Sequence, residues 1–300
     1  MIAVRNLTKT YKGNIQALRR VDLDIPGTGM FGLLGVNGAG KTTLMRILAG
    51  LLQPTGGEVS VFGHDVTATR GKRAVKALLG YLPQELGVYP DLTAREFLDY
   101  IAILKGVMSR TVRERQIDQA LDTVGITDVA DRRLRTYSGG MRQRVGISQA
   151  LLGEPRLLIV DEPTAGLDPE ERVRFRTLLA EVAQKCAVIL STHIVEDVSQ
   201  SCTGLAVLWR GTVLFRGAPG ELVDQVRGQA WTVLCRNGER PKAGLDVVST
   251  RQVQGGARYR VLGEPGPGYE AAAVEPSLED GYIWLMSQAR AGEHVPPCRG

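Results

Sequence analysis

Long apolar runs are missing from this chain of 300 residues: none approaches the roughly 18 residues that a membrane-crossing helix needs. Cysteine is scarce. Cys186, Cys202, Cys235 and Cys298 stand far apart with no C-x-x-C pair, which argues against a disulfide framework or a zinc site and for reduced thiols. The start, Met1-Ile2-Ala3-Val4-Arg5, lacks a basic stretch followed by an apolar segment, so no secretory signal is expected. Nor is the charge strongly of one sign. A net charge of +5 and a pI near 9.1 permit contact with nucleic acid or anionic lipid, but a solvated arginine-rich surface accounts for them, and no nucleic-acid partner is expected. What remains is the composition of a globular chain, 43% hydrophobic and 23% charged, with a mean hydropathy of −0.06. Its length suits one large domain or two smaller ones.

One stretch organises the rest. Gly35-Val36-Asn37-Gly38-Ala39-Gly40-Lys41-Thr42-Thr43 fits G-x-x-x-x-G-K-[ST], a loop whose backbone N–H groups cradle phosphates. Before it, Phe31-Gly32-Leu33-Leu34 reads as a buried strand. After it, Leu44, Ile47, Leu48 and Leu51 recur at helical spacing, with Gly50 to end the helix. Strand, loop and helix N-terminus aim oriented amides and a positive dipole end at an anion. Lys41 adds a charge for the outer phosphates and Thr42 a hydroxyl for Mg²⁺. A glycine-rich connector is the competing reading, and the full motif in its setting favours a nucleoside triphosphate site.

Residues 1–30 alternate weakly and read as short antiparallel strands. Tyr11 lies among polar neighbours; by residue type it is an ordinary strand tyrosine, though its ring could stack on adenine. Leu78 to Gln84 reads as a strand ending at Gln84. A helical region over 91–136 follows, with a Thr93/Glu96 capping box and an apolar stripe of Phe97, Leu98, Ile101 and Leu104. A second helix there carries Ile117, Ala120, Leu121 and Val124. Arg110, Arg113, Arg115, Arg132, Arg133 and Arg135 read as solvated faces. Ser138 can cap the next helix, with Gly139 and Gly140 leaving first-turn N–H groups open to an anion; alone, Ser-Gly-Gly is common loop chemistry.

Leu157-Leu158-Ile159-Val160 looks like a fully buried parallel strand, and Asp161 and Glu162 lie at its carboxyl end, where open α/β sheets bind ligands. Adjacent carboxylates at a dry strand end are costly unless a metal and a reaction use them. Asp161 is assigned to Mg²⁺ and its waters, Glu162 to the attacking water. Asp168-Pro169 opens a helix, and Ala187 to Ser191 forms another buried strand leading to His193. Past Gly220 the character changes. Three short strands (Trp231 to Arg236, Leu245 to Val253, Arg258 to Leu262) precede a helix capped by Ser277 and Asp280, with a loose end from Gly292 to Gly300.

Taken together, the motifs resemble those of the ATP-binding subunits of ABC transporters. The resemblance covers positions 1–222 as a nucleotide-binding domain, with a helical subdomain at about 85–150, and leaves 228–300 as a small accessory domain. It implies an α/β P-loop NTPase core with an antiparallel β subdomain and a helical subdomain, followed by a small C-terminal α+β domain. Gly35 to Thr43 matches the Walker A loop and Leu157 to Glu162 the Walker B strand with its catalytic glutamate. Tyr11 matches the adenine-stacking aromatic, Gln84 the glutamine that senses Mg²⁺, and His193 the switch histidine. Ser138-Gly139-Gly140 matches the signature motif, with Met141 in place of its glutamine, and Gly166-Leu167-Asp168 the D-loop. Val36 departs at a variable position; Met141 implies a weaker composite site.

The resemblance further implies two ATPase chains, identical or paralogous, facing head to tail. ATP and Mg²⁺ would lie between Lys41, Thr42 and Asp161 of one chain and the signature of the other. It also implies an integral membrane permease on a separate chain and a place on the cytoplasmic face of the cell membrane. Tyr137 to Arg142 and Glu275 to Asp280 look like the bacterial exporter branch that handles drugs, antibiotics or polysaccharides. An importer ATPase, sharing every catalytic residue, stays open. A soluble ABC ATPase is the main rival, but ribosome-acting members usually carry two such domains per chain, and the spacing from Lys41 to Ser138 leaves no room for a long coiled coil.

Overall fold

The weak alternation of the first residues becomes two long antiparallel strands, β1 (Ile2–Tyr11) and β2 (Ile15–Ile25). The apolar run that follows is β3 (Gly29–Leu34), and the glycine loop leads into α1 (Lys41–Leu48). Next come β4 (Gly56–Val61) and β5 (His64–Asp65), which complete an antiparallel sheet of order β2-β1-β4-β5. One face of that sheet carries Val4, Leu23 and Val61, which share a single core with Leu44, Ile47 and Leu48 of α1. Each such buried side chain stabilises the fold by roughly 1.5–3 kcal/mol. The structure is a computed structural model and describes residues 1–84, 86–164, 167–236, 239–242 and 244–293.

α2 (Thr69–Ala77) has no counterpart in the sequence pattern, because Val75 is its only buried residue. After β6 (Leu79–Leu82) come α3 (Ala94–Leu104), α4 (Arg110–Thr123) and α5 (Gly139–Leu151). The Thr93/Glu96 capping box is present in full. Phe97 and Leu98 are buried as expected, but Leu104 is 66% exposed; Ala94 and Ala102 complete the inner face instead. Arg113 also departs from the solvated-face reading. Its side chain is 13% exposed, and its guanidinium pairs with Asp99 at 2.7 Å and donates to the carbonyls of Val107 and Met108. α5 lies hard against β6: a Cβ on Gly80 would sit 2.3 Å from the Ala150 carbonyl oxygen, so only glycine allows this approach.

The chain continues through β7 (Leu157–Asp161), α6 (Pro169–Ala183), β8 (Ala187–Thr192), α7 (Val195–Ser201) and β9 (Gly204–Trp209). Strands β9, β3, β8, β7 and β6 lie side by side in that order, all parallel. Their common direction brings the ends of β3, β7 and β8 to one edge of the sheet. That edge is where ligands bind in such folds.

Two compact units divide the chain, Met1–Val213 and Leu214–Gly300. Strand β10 (Thr212–Gly217) straddles the division. The second unit holds α8 (Pro219–Asp224), then β11 (Ala230–Arg236), β12 (Asp246–Val253), β13 (Gly256–Leu262) and β14 (Glu270–Ala273), and last α9 (Leu278–Glu293). Its antiparallel sheet has the order β12-β13-β11-β14. β14 has no counterpart in the sequence pattern, because its Glu-Ala-Ala-Ala run has poor strand propensity and is exposed throughout. The expected loose end falls, from His294 onward, outside the described residues, as does Glu85 at the start of the expected helical subdomain.

The start of α9 is pinned by charge. Asp280 is fully buried and accepts from the Ser277 N–H and hydroxyl at 2.6 and 2.8 Å and from the Arg260 guanidinium at 2.6 Å. Burial pushes its carboxyl up, but these donors and the charge of Arg260 outweigh that and hold it below the ordinary aspartate value. Its contribution is therefore present above the unfolded aspartate pKa of about 3.9 and is lost as pH falls through the lower folded value. Arg260→Met, which strands the buried carboxylate, is expected to destabilise the chain by about 3–5 kcal/mol at neutral pH. The deficit should shrink on acidification. Urea unfolding of both proteins at pH 7 and at acid pH, followed by tryptophan fluorescence, measures it; an equal deficit at both would remove the ion pair from the explanation.

Candidate nucleotide site

The glycine loop is shaped by what surrounds it. Gly40 has φ 108°, and a Cβ there would lie 2.7 Å from the Ala17 carbonyl oxygen, so a side chain is excluded on both counts. Asn37 and Gly38 are exposed on the loop, Ala39 is buried beneath it, and Thr42 and Thr43 are half-buried on the first turn of α1. Lys41 is 5% exposed. Its ammonium donates to the carbonyls of Gly35 at 2.6 Å and Val36 at 3.3 Å and lies 3.2 Å from Glu162 Oε1. Tyr11, at the end of β1, reaches the first turn of α1: its hydroxyl is 3.2 Å from Thr43 Oγ1. The Lys9 ammonium stands 5.3 Å from the centre of its ring.

Glu162 follows β7 in a left-handed backbone conformation, φ 50°, which is strained for a residue other than glycine and is common at functional sites. Its N–H donates to the Ser191 carbonyl at 2.9 Å, tying it to neighbouring β8. His193, just past β8, donates from Nδ1 to Glu162 Oε2 at 2.6 Å. A carboxylate partner fixes that tautomer and leaves Nε2 for another contact. Glu162 is 8% exposed, whereas the His193 side chain is 46% exposed. Lys41, Glu162 and His193 thus form one continuous chain of contacts along the sheet edge.

Asp161 is 1% exposed, and its Oδ1 and the Ser191 hydroxyl are buried without a hydrogen-bond partner. Burial pushes the Asp161 carboxyl up, against the pull of the nearby Ser191 and Thr42 hydroxyls; Glu162 adds to the rise and Lys41 opposes it. An orphaned carboxylate oxygen beside a threonine hydroxyl is a fitting donor set for Mg²⁺, which takes few protein ligands and keeps waters and phosphate oxygens.

The remaining expected residues lie apart from this chain of contacts. Gln84 is exposed, two residues beyond β6. Ser138 caps α5 by accepting the Met141 N–H at 3.2 Å; Ser138 and Gly139 are exposed, Gly140 and Met141 half-buried. Asp168 is exposed and caps α6 by accepting the Glu171 N–H at 2.8 Å, while Gly166 lies outside the described residues. Three links that sequence reasoning missed join these parts. Gln143 on α5 donates to the Pro163 carbonyl at 2.8 Å. Arg144 binds both carboxylate oxygens of Glu171 at 3.0 Å, clamping α5 to α6. Thr164 donates to Asp197 at 2.6 Å. Neither Arg144 nor Glu171 stands at a strand end or in a recognisable motif, so no local signal marks them.

Residues 18–165 match the family model described as ABC transporter. The chain is 36% identical to the ABC transporter ATP-binding protein YxlF of Bacillus subtilis over 233 residues, which covers 78% of this chain and 76% of that one. This chain belongs to the ABC transporter ATP-binding proteins. It is also 39% identical to the daunorubicin/doxorubicin resistance ATP-binding protein DrrA of Streptomyces peucetius, over 74% of this chain and 66% of that one. Among solved structures, it resembles a dimeric post-hydrolysis state of the ATP-binding cassette MJ0796 bound to ADP and Pi. The TM-score is 0.66 at 28% identity, covering 73% of this chain and 98% of that one. As an ABC ATPase the chain binds and hydrolyses ATP, and the expected P-loop α/β class holds. Among the described residues no helix is long and apolar enough to cross a membrane.

Proposed function

We propose that this ABC ATPase powers export of a substrate through a separate integral membrane permease, working as a pair of ATPase chains on the cytoplasmic face of the membrane. The observation that carries the chemistry is the Lys41–Glu162–His193 chain of contacts, with Glu162 held dry and strained at its centre. Lys41 and the loop amides from Gly35 to Thr43 hold the phosphates, and Tyr11 stacks on the base. When ATP enters, the Lys41 donors turn from the carbonyls of Gly35 and Val36 to phosphate oxygens. Glu162 takes a proton from the water that attacks the γ-phosphorus, ADP leaves, and His193 Nε2 contacts the γ-phosphate. Thr42, Gln84 and, through water, Asp161 would hold Mg²⁺, which neutralises phosphate charge when bound.

The exposed Ser138 and Gly139 and the half-buried Gly140 at the start of α5 suit a nucleotide held by a second chain, whose charge the helix N-terminus stabilises. Asp168, also exposed, would be a further contact between the two chains. Similarity to DrrA, named for drug resistance, supports export. Exposed apolar side chains on and beside α3 support a permease contact: Tyr89, Tyr100, Ile103, Leu104 and Met108 are 40–71% exposed, with the Tyr89 and Tyr100 rings edge to face at 5.8 Å. Affinity purification from detergent-solubilised native membranes, with mass spectrometry, tests this. A polytopic membrane protein at near-equal amount is the expected result. Recovery only with ribosomal or DNA-bound partners would contradict transport while leaving the ATPase intact.

A further inference from the structure

A buried polar cluster lies behind the nucleotide site and takes no part in the chemistry described so far. Asp197, on the first turn of α7, is fully buried. It accepts from the Thr164 hydroxyl at 2.6 Å through one oxygen and from the Arg176 guanidinium of α6 at 3.4 Å through the other. Thr164 is 2% exposed and Arg176 is 9% exposed. Three elements therefore meet on one carboxylate: the segment after β7, the helix after the D-loop, and the helix after His193.

The sequence positions give the cluster its meaning. Thr164 lies two residues past Glu162, and Asp197 four residues past His193. The backbone at Glu162 is strained, and such a conformation persists only where the surroundings over-determine it. The surroundings supply three anchors: the Glu162 N–H on the Ser191 carbonyl, Gln143 on the Pro163 carbonyl, and the Thr164 hydroxyl on Asp197. The first of these runs to the end of β8, just before His193, and the last to α7, just after it. On the histidine side, the Thr192 hydroxyl accepts the Ile194 N–H at 2.9 Å and fixes the turn from which the imidazole projects.

We infer that Thr164 and Asp197, braced by Arg176, are positioning residues that hold Glu162 and His193 at their 2.6 Å contact and so set the rate of hydrolysis. The inference rests on the reading of Glu162 as the base. A buried charge is expensive unless paired, and a purely apolar plug would fill this space with less desolvation, so the cluster is retained at a cost that a geometric role explains. Because Arg176 and Thr164 hold different oxygens of this carboxylate, a shift of α6 moves Asp197, and with it the segment bearing Glu162. The contact thus joins the D-loop helix to the catalytic pair.

Single-turnover ATP hydrolysis by the full chain tests this, alongside nucleotide affinity from a fluorescent ATP analogue. Thr164→Val is expected to lower kcat about tenfold while leaving the nucleotide affinity within twofold, and Thr164→Ser is expected to restore it. In a Glu162→Gln background, Thr164→Val is expected to add nothing to the residual rate, because the residue acts only through the base. Should Asp197→Asn fold poorly, the threonine pair still decides the matter. An unchanged kcat in Thr164→Val would overturn the inference and leave the role of Glu162 standing. So would an equal loss in both backgrounds, or a loss of affinity in proportion to kcat. Full turnover by Glu162→Gln itself would overturn both.

Discussion

Glu162→Gln is expected to cut ATP turnover by roughly 10²–10⁴-fold, the contribution of a positioned general base. Glutamine keeps the volume and can still meet His193, and the buried Lys41 ammonium keeps the carbonyls of Gly35 and Val36 as acceptors, so the site should keep its shape. What it loses is the proton acceptor and the negative charge 3.2 Å from the Lys41 ammonium. Losing that charge releases Lys41 for phosphate, so nucleotide binding should hold or tighten. The variant should therefore accumulate as an ATP-bound dimer. Phosphate release measures the first effect and size-exclusion chromatography with ATP the second. Undiminished hydrolysis would take the base away from Glu162.

Lys41→Ala is expected to abolish ATP binding and, separately, to destabilise the fold by about 3–5 kcal/mol, because it removes one member of a buried ion pair. The side chains of Lys41 and Glu162 are 5% and 8% exposed, so the charge left behind has little water to turn to. His193 is its one remaining side-chain contact among those described. The two effects come apart in the double variant Lys41→Ala/Glu162→Gln. Neutralising the orphaned carboxylate should recover most of the lost stability and none of the ATP binding. Thermal unfolding and calorimetric titration give the two readouts. Stability as low in the double variant as in Lys41→Ala would contradict a buried pair.

Much of this was written in local pattern. The phosphate loop, the capping box at Thr93 and the four-residue apolar strand before Asp161 all declare themselves over fewer than ten residues. Each rests on a rule with a short period or a fixed spacing. What escaped was long-range or weakly patterned. Thr164 and Asp197 are 33 positions apart, Arg144 and Glu171 are 27 apart, and nothing in either neighbourhood marks a partner. α2 escaped because a helix that buries one residue has no stripe, and β14 because alanine and glutamate are poor strand formers. Leu104 misled for the opposite reason: its helical spacing is right, but the inner face of α3 is completed by the small Ala94 and Ala102, leaving Leu104 outside. The Lys41–Glu162–His193 contacts hold three loop ends together that strand order alone would not predict, since β8 lies between β3 and β7.

We propose that each ATP is held by the phosphate loop of one chain and the signature helix of another. Mixing two inactive variants tests it most directly: Lys41→Ala, which keeps its signature, and Ser138→Arg, which keeps its phosphate loop. A mixed dimer assembles one intact site from Lys41, Thr42 and Glu162 of the second variant and Ser138 and Gly140 of the first. ATP turnover should therefore appear on mixing, although neither variant has any alone. A mixture as inactive as its components would contradict a shared site.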